Sequence, residues 1–256
     1  MLSSVCRIMR EAAAIILNAG AAPAHEKEGH FNFVTDTDVA VQEYLREKLS
    51  ALFPLALFFS EEQENAALTH APTFVIDPID GTINFMRSRR QSAISVAYLV
   101  NKQPVLAAVY NPYAGEMFTA EKGKGAALNG SPIHVSDTPF EKALVAFGTS
   151  PYDAELARRT MACACDFLLQ AGDLRRTGSA CVDLCDVACG RCDIFFELRL
   201  RPWDVAAGSL IVQEAGGFYH SLGRSAPYYD DACGMVCGNQ RCKNEALALL
   251  RAHGAE

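Results

Sequence analysis

Three things are scarce in this 256-residue sequence: long apolar runs, surplus positive charge, and histidines close to cysteines. The first scarcity argues against a membrane span. Arg7 and Arg10 before Ala12-Ala13-Ala14-Ile15-Ile16-Leu17 resemble a secretory leader, but Glu11 and Asn18 interrupt the pattern and the apolar core is too short to cross a bilayer. An amphipathic first helix fits better, and a soluble cytoplasmic protein is the expectation. The second scarcity leaves a formal net charge of −7, from 23 Lys and Arg against 30 Asp and Glu. Such a chain has no general attraction for nucleic acid or anionic membrane, so an anionic substrate needs a local cation. The third bears on zinc. Cys181, Cys185 and Cys189 recur every four residues, and Cys192 follows at C-x-x-C spacing. Without neighbouring histidines, a stripe of small, reduced core thiols outweighs a zinc site or a redox pair. Gly123-Lys124-Gly125 is no phosphate loop either, because no helix-forming G-K-[ST] follows it. No internal repeat is present.

The most informative stretch that is present is Thr73-Phe74-Val75-Ile76-Asp77-Pro78-Ile79-Asp80-Gly81-Thr82-Ile83-Asn84-Phe85. Its apolar, β-branched start predicts a buried strand that stops at Asp77-Pro78, where proline removes a ladder donor. Asp80 then projects a second carboxylate, and Gly81 permits close backbone approach before Thr82 and Asn84 begin a turn or helix. Crowded carboxylates repel unless a hard cation neutralises them, and the Gly81 and Thr82 N–H groups suit a phosphate oxygen. An isolated Asp-Pro-x-Asp-Gly reads equally well as a surface turn. The metal reading gains from acids elsewhere in the chain.

Residues 20–32 read as a mobile polar loop containing Lys27, for which a solvated loop charge is the plain alternative. Thr35-Asp36-Thr37-Asp38 offers N-cap chemistry to a second helix with apolar positions Val41, Leu45 and Leu49. A short strand over residues 55–59 also ends on acids, at Ser60-Glu61-Glu62. Residues 94–100, 105–110 and 116–120 predict successive antiparallel strands joined by Asn, Pro and Gly turns. Beyond residues 135–141 the pattern changes to strand–helix alternation, which places a boundary between residues 1–137 and 138–256. Strands are expected at 144–148, 174–177, 193–198, 218–220 and 234–238, and helices at 154–171, 180–190 and 243–253. Arg201-Pro202-Trp203-Asp204 opens a further helix with Asp204 as N-cap, ending at Gly216-Gly217. An N-cap aspartate is usually structural. In company with two acid-bearing strand ends, it becomes a candidate ligand.

Glu61-Glu62, the Asp77-to-Phe85 stretch and Trp203-Asp204-Val205-Ala206-Ala207-Gly208 together resemble the inositol monophosphatase family in order and spacing. Gly178-Ser179-Ala180 and Glu197 fall between them as that family has them, and Arg176 to Ala180 is similar to its bacterial members. The resemblance implies an α/β fold with an α+β N-terminal half, a layered αβαβα sandwich, and magnesium-dependent hydrolysis of a phosphate monoester. It implies that Glu61, Asp77 and the Ile79 carbonyl hold one metal, that Asp77, Asp80 and Asp204 hold a second, and that a weaker third leans on Glu61. Asp38 and Thr82 match the pair that helps activate water. Gly81 and Thr82 would bind phosphate through N–H groups. Asp80, Ala180 and Glu197, with Gly178, Ser179 and Asp204, would form the substrate side, and Lys27 would close the site. Two Mg²⁺ ions suit oxygen ligands and can stabilise both ends of an in-line displacement, with Mn²⁺ as a substitute. Asn32 stands where many relatives carry an acid, which implies a weaker third metal site.

The implied substrate is myo-inositol monophosphate or a similar small phosphorylated polyol. Fructose bisphosphate and NADP phosphatase activities are the alternatives. Relatives acting on phosphoadenosine phosphate or histidinol phosphate tend to carry a lysine after Asp-Gly-Thr, where this chain has Ile83. Lithium inhibition and a homodimer are further family expectations. A different class of function, partnership in an RNA polymerase complex, follows from a bacterial relative that acts in transcription antitermination.

Overall fold

The computed structural model describes residues 1–19, 24–26 and 33–255. Lys27 and Asn32 lie outside the described residues. The N-terminal part begins with helix α1 (Leu2–Asn18), strands β1 (Ala24–Glu26) and β2 (Phe33–Thr35), and helix α2 (Asp36–Leu52). β1 and β2 pair antiparallel, so part of the expected loop is a small ladder. β3 (Leu57–Ser60), β4 (Thr73–Asp80), the short helix α3 (Thr82–Met86), β5 (Ala93–Val100), β6 (Gln103–Asn111), β7 (Glu116–Glu121), β8 (Ala126–Leu128) and β9 (Ser131–Ile133) follow. The strands from β3 to β9 form a seven-stranded sheet in sequence order, antiparallel except for the β3–β4 pair.

The chain continues with β10 (Leu144–Phe147), α4 (Ala154–Gln170), β11 (Asp173–Arg175), α5 (Ala180–Ala188), β12 (Ile194–Leu200), α6 (Pro202–Glu214), β13 (Phe218–Ser221), β14 (Cys233–Gly238) and α7 (Lys243–Ala252). These strands make a five-stranded sheet in the order β11-β10-β12-β14-β13. β11, β10 and β12 run parallel, and β14 is antiparallel to both of its neighbours.

Alternation along the strands sorts the layers. Phe74, Ile76, Ile94, Val96, Leu106 and Ala108 point to one face of the larger sheet and pack on α1 and α2 through Val5, Met9, Val41 and Leu45. Val75, Ala97, Ala107 and Val109 point to the other face, against Cys181, Leu184, Val205 and Leu210 of α5 and α6, which also touch Phe195 and Cys237 of the smaller sheet. α4 and α7 cover that sheet's outer face through Phe167 and Leu250. The result is the expected αβαβα sandwich. α6 lies between two sheets, and every residue from Val205 to Val212 is buried; a helix apolar all round belongs in such an interior. Cys181 and Cys185 share this core, and all ten cysteines are free. Among the described residues, no helix is long and apolar enough to cross a membrane.

Two further sequence expectations fail, both beside the cleft. β4 does not stop at Asp77-Pro78 but runs to Asp80, with a register shift: Asp77 pairs with Ser95, and Asp80 with Ala93. Between these pairs Pro78 and Ile79 of β4 stand opposite Ile94 alone, so one extra residue is accommodated where Pro78 has no N–H to give. Asp204 is not the N-cap of α6. Arg201 occupies that position, and Asp204, in the first turn, accepts the Arg201 N–H through Oδ2 at 2.6 Å. Pro202 explains the shift, because a proline is readily placed as the first residue of a helix.

Candidate active site

Side chains three apart on a regular strand point to opposite faces. The irregularity at Pro78 cancels that rule and turns Asp77 and Asp80 to the same side. There they meet Asp204, and one carboxylate oxygen from each of the three lies within 4.8 Å of the others. Glu61 enters from the turn after β3 and lines the same cleft. That turn is held by Gln42 of α2, whose Oε1 accepts the Glu62 N–H at 2.9 Å and whose Nε2 donates to the Glu62 carbonyl at 2.8 Å. Asn65 brackets Ser60 in the same way, accepting its N–H at 2.9 Å and donating to its carbonyl at 2.7 Å. Neither amide carries a sequence signature, since their task depends on a partner about twenty or five residues away.

The acids raise one another. Asp77 is held well above the ordinary carboxylate range, first by burial and then by the negative charges of Glu61, Asp80, Asp204 and Asp38. Asp204 is also well up, through desolvation in the cleft and the charges of Asp80 and Glu61. Burial raises Asp80 as well, opposed by the Ser179 hydroxyl, which hydrogen-bonds its Oδ2, and by the Cys181 N–H at 2.8 Å. Asp77 Oδ1 accepts the Ile79 N–H at 3.0 Å. These donors are neutral, and the charge of Arg201 opposes the rise of Asp204 only in last place, so the three carboxylates stay under-compensated. An oxygen-only donor set of this kind fits a hard divalent cation.

Asp38 is anchored by the cap of α2: its Oδ2 accepts both the Thr35 N–H at 2.8 Å and the Thr35 hydroxyl. Its other oxygen, Oδ1, lies 3.4 Å from the Thr82 hydroxyl, which also lies 3.3 Å from the Ile79 carbonyl. Gly81 has φ +85°, and a Cβ there would stand 3.1 Å from the Gln91 carbonyl and 3.2 Å from Ser179 Cβ. A side chain would therefore be strained and crowded. Asn84 joins the sheets by donating to the carbonyls of Gln91 at 2.7 Å and Thr177 at 3.0 Å.

Gly178, Ser179 and Ala180, at the start of α5, and Glu197 of β12 form the opposite wall of a cleft of about 180 Å³. Every site residue named from the sequence and lying in the described part reaches this region. The wall also contains Gly148, Thr149, Tyr152, Arg176 and Asp183, which received no role from the sequence. Gly148 had a hidden signal. A Cβ on it would stand 1.8 Å from Glu197 Oε2, so only glycine leaves that carboxyl its place.

A layered α/β fold that gathers carboxylates at one polar cleft is suited to metal-assisted hydrolysis. The comparisons with known proteins agree. The chain belongs to the inositol monophosphatase family, whose model matches residues 2–255. Inositol monophosphatase 3 of Solanum lycopersicum is 41% identical over 201 residues, covering 75% of each chain. The protein called Nus factor SuhB in Salmonella typhimurium is 34% identical over 256 residues, covering 98% of this chain and 96% of its own. The Thermotoga maritima IMPase structure superposes with a TM-score of 0.86 at 28% identity, over 97% of this chain and 95% of that one.

Proposed function

We propose that this phosphatase hydrolyses phosphate monoesters of small polyols, with myo-inositol monophosphate as the leading substrate. The convergence of Asp77, Asp80 and Asp204 opposite Glu197 carries the reading. Glu61, Asp77, the Ile79 carbonyl, Asp80 and Asp204 would hold magnesium, which supplies positive charge for the phosphate and the departing alkoxide and acidifies the attacking water. The N–H groups of Gly81 and Thr82, at the start of α3, receive phosphate oxygens. Thr82 Oγ1, 3.4 Å from Asp38 Oδ1, would take the proton of the attacking water as its own passes to Asp38. The Thr35 cap keeps Asp38 oriented for that transfer. Glu197 and the start of α5 meet hydroxyls on the leaving group. Relatives named inositol monophosphatase support this substrate class.

Phosphate release from inositol monophosphates, fructose bisphosphate, NADP, phosphoadenosine phosphate and histidinol phosphate tests the reading. Inositol monophosphate should lead, with turnover that requires Mg²⁺ and falls in lithium. A lead for fructose bisphosphate or NADP would move the substrate within the family, and no release from any of them would sink the reading. Gly148→Ala should displace the Glu197 carboxyl. Overpacking of this kind costs about 1–3 kcal/mol of stability. Preference for inositol monophosphate over p-nitrophenyl phosphate, measured alongside the melting temperature, should fall with it.

A second reading, partnership with a transcription complex, is favoured by relatives named Nus factor SuhB. Asp80 is 8% exposed, so Asp80→Asn leaves the outer surface as it is. On this reading the variant co-elutes with RNA polymerase as well as the parent does. Absence of any complex at physiological salt counts against it.

A further inference from the structure

The floor of the cleft is acidic, but its rim is not. Ile83 and Tyr152 are 42% and 56% exposed, and both line the cleft. A single large apolar side chain on a protein surface is ordinary. Two that line one concavity, one from α3 and one from the opposite wall, stand where a bound molecule covers them.

Backbone contacts hold Tyr152 in that position. The Asp153 N–H donates to the Ser150 carbonyl at 3.2 Å, closing a turn with Pro151 and Tyr152 at its two central positions. The turn is fixed on both sides. Before it, the Gly148 N–H donates to the Phe196 carbonyl of β12 at 3.1 Å; after it, Asp153 caps α4, accepting the Glu155 and Leu156 N–H groups at 3.1 and 3.0 Å. Glu197, next along β12, lays its carboxyl over Gly148, where a Cβ would stand 1.8 Å from Oε2. Tyr152 thus follows closely on the backbone that supports the Glu197 carboxyl. Among the described residues, its phenol has no hydrogen-bond partner and no ring or cation stacks on it. Desolvation, then the negative charges of Glu197, Asp204 and Glu61, raise the phenol to about 12, so it stays neutral and does not repel a phosphate.

A free aromatic face beside an acceptor carboxyl restricts the alcohol that fits. An open-chain polyol offers hydroxyls to Glu197 but no flat surface to the ring. A nucleotide splits the two features between sugar and base. A cyclic polyol with mostly equatorial hydroxyls carries both on one ring, with O–H groups around its edge and C–H groups on its faces. We propose that Tyr152 is a specificity-determining residue whose ring packs against the C–H face of a cyclic polyol while Glu197 takes hydroxyls at its edge. This rests on the polyol-phosphatase reading and narrows it, setting cyclic alcohols above open-chain ones.

The test compares parent, Tyr152→Phe and Tyr152→Ala on myo-inositol 1-phosphate, glycerol 2-phosphate and NADP, with melting temperatures alongside. The parent alone tests the substrate reading: if neither polyol phosphate is hydrolysed, or NADP leads, that reading falls and the Tyr152 assignment with it. A lead for glycerol 2-phosphate would keep the polyol reading and overturn the assignment. If myo-inositol 1-phosphate leads, the variants test Tyr152 separately. Loss of the ring in Tyr152→Ala should lower the ratio of kcat/KM for myo-inositol 1-phosphate over glycerol 2-phosphate roughly tenfold. Tyr152→Phe keeps the ring and should keep the ratio. An unchanged ratio in Tyr152→Ala overturns the proposal, whether both substrates are unaffected or both fall equally as for a purely structural turn residue. A ratio that falls as far in Tyr152→Phe would assign the contact to the hydroxyl and overturn the packing of the ring. Tyr152 is more than half exposed, so neither substitution opens the core. Should the alanine variant still fail to fold, Tyr152→Leu, apolar but without a flat face, decides on the same ratio, with a several-fold fall expected and no fall overturning the assignment.

Discussion

Asp80→Asn and Asp204→Asn should each remove most phosphatase activity while leaving the protein folded. Asp80 Oδ2 already receives the Ser179 hydroxyl and the Cys181 N–H. In Asp80→Asn the amide oxygen would keep those donors, turning the amide's own N–H groups toward the place of a cation. The same reasoning holds for Asp204, whose Oδ2 receives the Arg201 N–H at 2.6 Å. Each substitution removes a charge from the metal set and replaces an acceptor with a donor. The expected loss is several kcal/mol of transition-state stabilisation, roughly two to three orders of magnitude in kcat/KM. In chelator both variants should melt at or above the parent temperature, because one of the mutually repelling carboxylates is gone. Near-normal turnover by either folded variant would sink the metal assignment.

Removing divalent metal should abolish turnover and invert the pH dependence of stability. Asp77, Asp80 and Asp204 all have folded-state values above the ordinary 3.8. Without metal the folded chain therefore holds protons that the unfolded chain has already released. Their contribution to stability is fully present below 3.8 and is lost as pH rises through the raised folded values. In EDTA the site's contribution thus weakens from acid toward neutral pH. Magnesium binds the deprotonated carboxylates, so its stabilisation should grow over the same interval and reach about 2.7 kcal/mol at a hundred times Kd. Thermal melts across pH, with EDTA and with Mg²⁺, measure both slopes. An Mg²⁺ shift that is absent, or that shrinks as pH rises, would contradict the arrangement.

The layers were legible because their signals are local. Alternating residues in β5 and β6, Thr35 before α2 and the glycines after α6 each declare their element within a few positions. The site was legible wherever chemistry and spacing coincide, as in Asp77-Pro78-Ile79-Asp80-Gly81-Thr82. Two local expectations failed: pairing with β5 carries β4 past Pro78 through a register shift, and Pro202 starts α6 two residues ahead of Asp204. Gln42, Asn65 and Gly148 stayed silent for another reason. Each acts on a partner outside its own element, and a glutamine, asparagine or glycine alone looks ordinary.

The stitches between the two sheets also bear on how the chain acquires its site. Asp80 is tied to Ser179 and Cys181 across 99 and 101 residues, and Asn84 to Thr177 across 93. Contacts so distant in sequence close large loops and belong to slow steps of folding. On the ribosome, the larger sheet can emerge complete while the cation site still lacks its last carboxylate, Asp204. If Asp77, Asp80 and Asp204 hold the proposed cation, its affinity arrives with the docking of α5 and α6, and metal uptake then reports the moment at which the two sheets become one molecule.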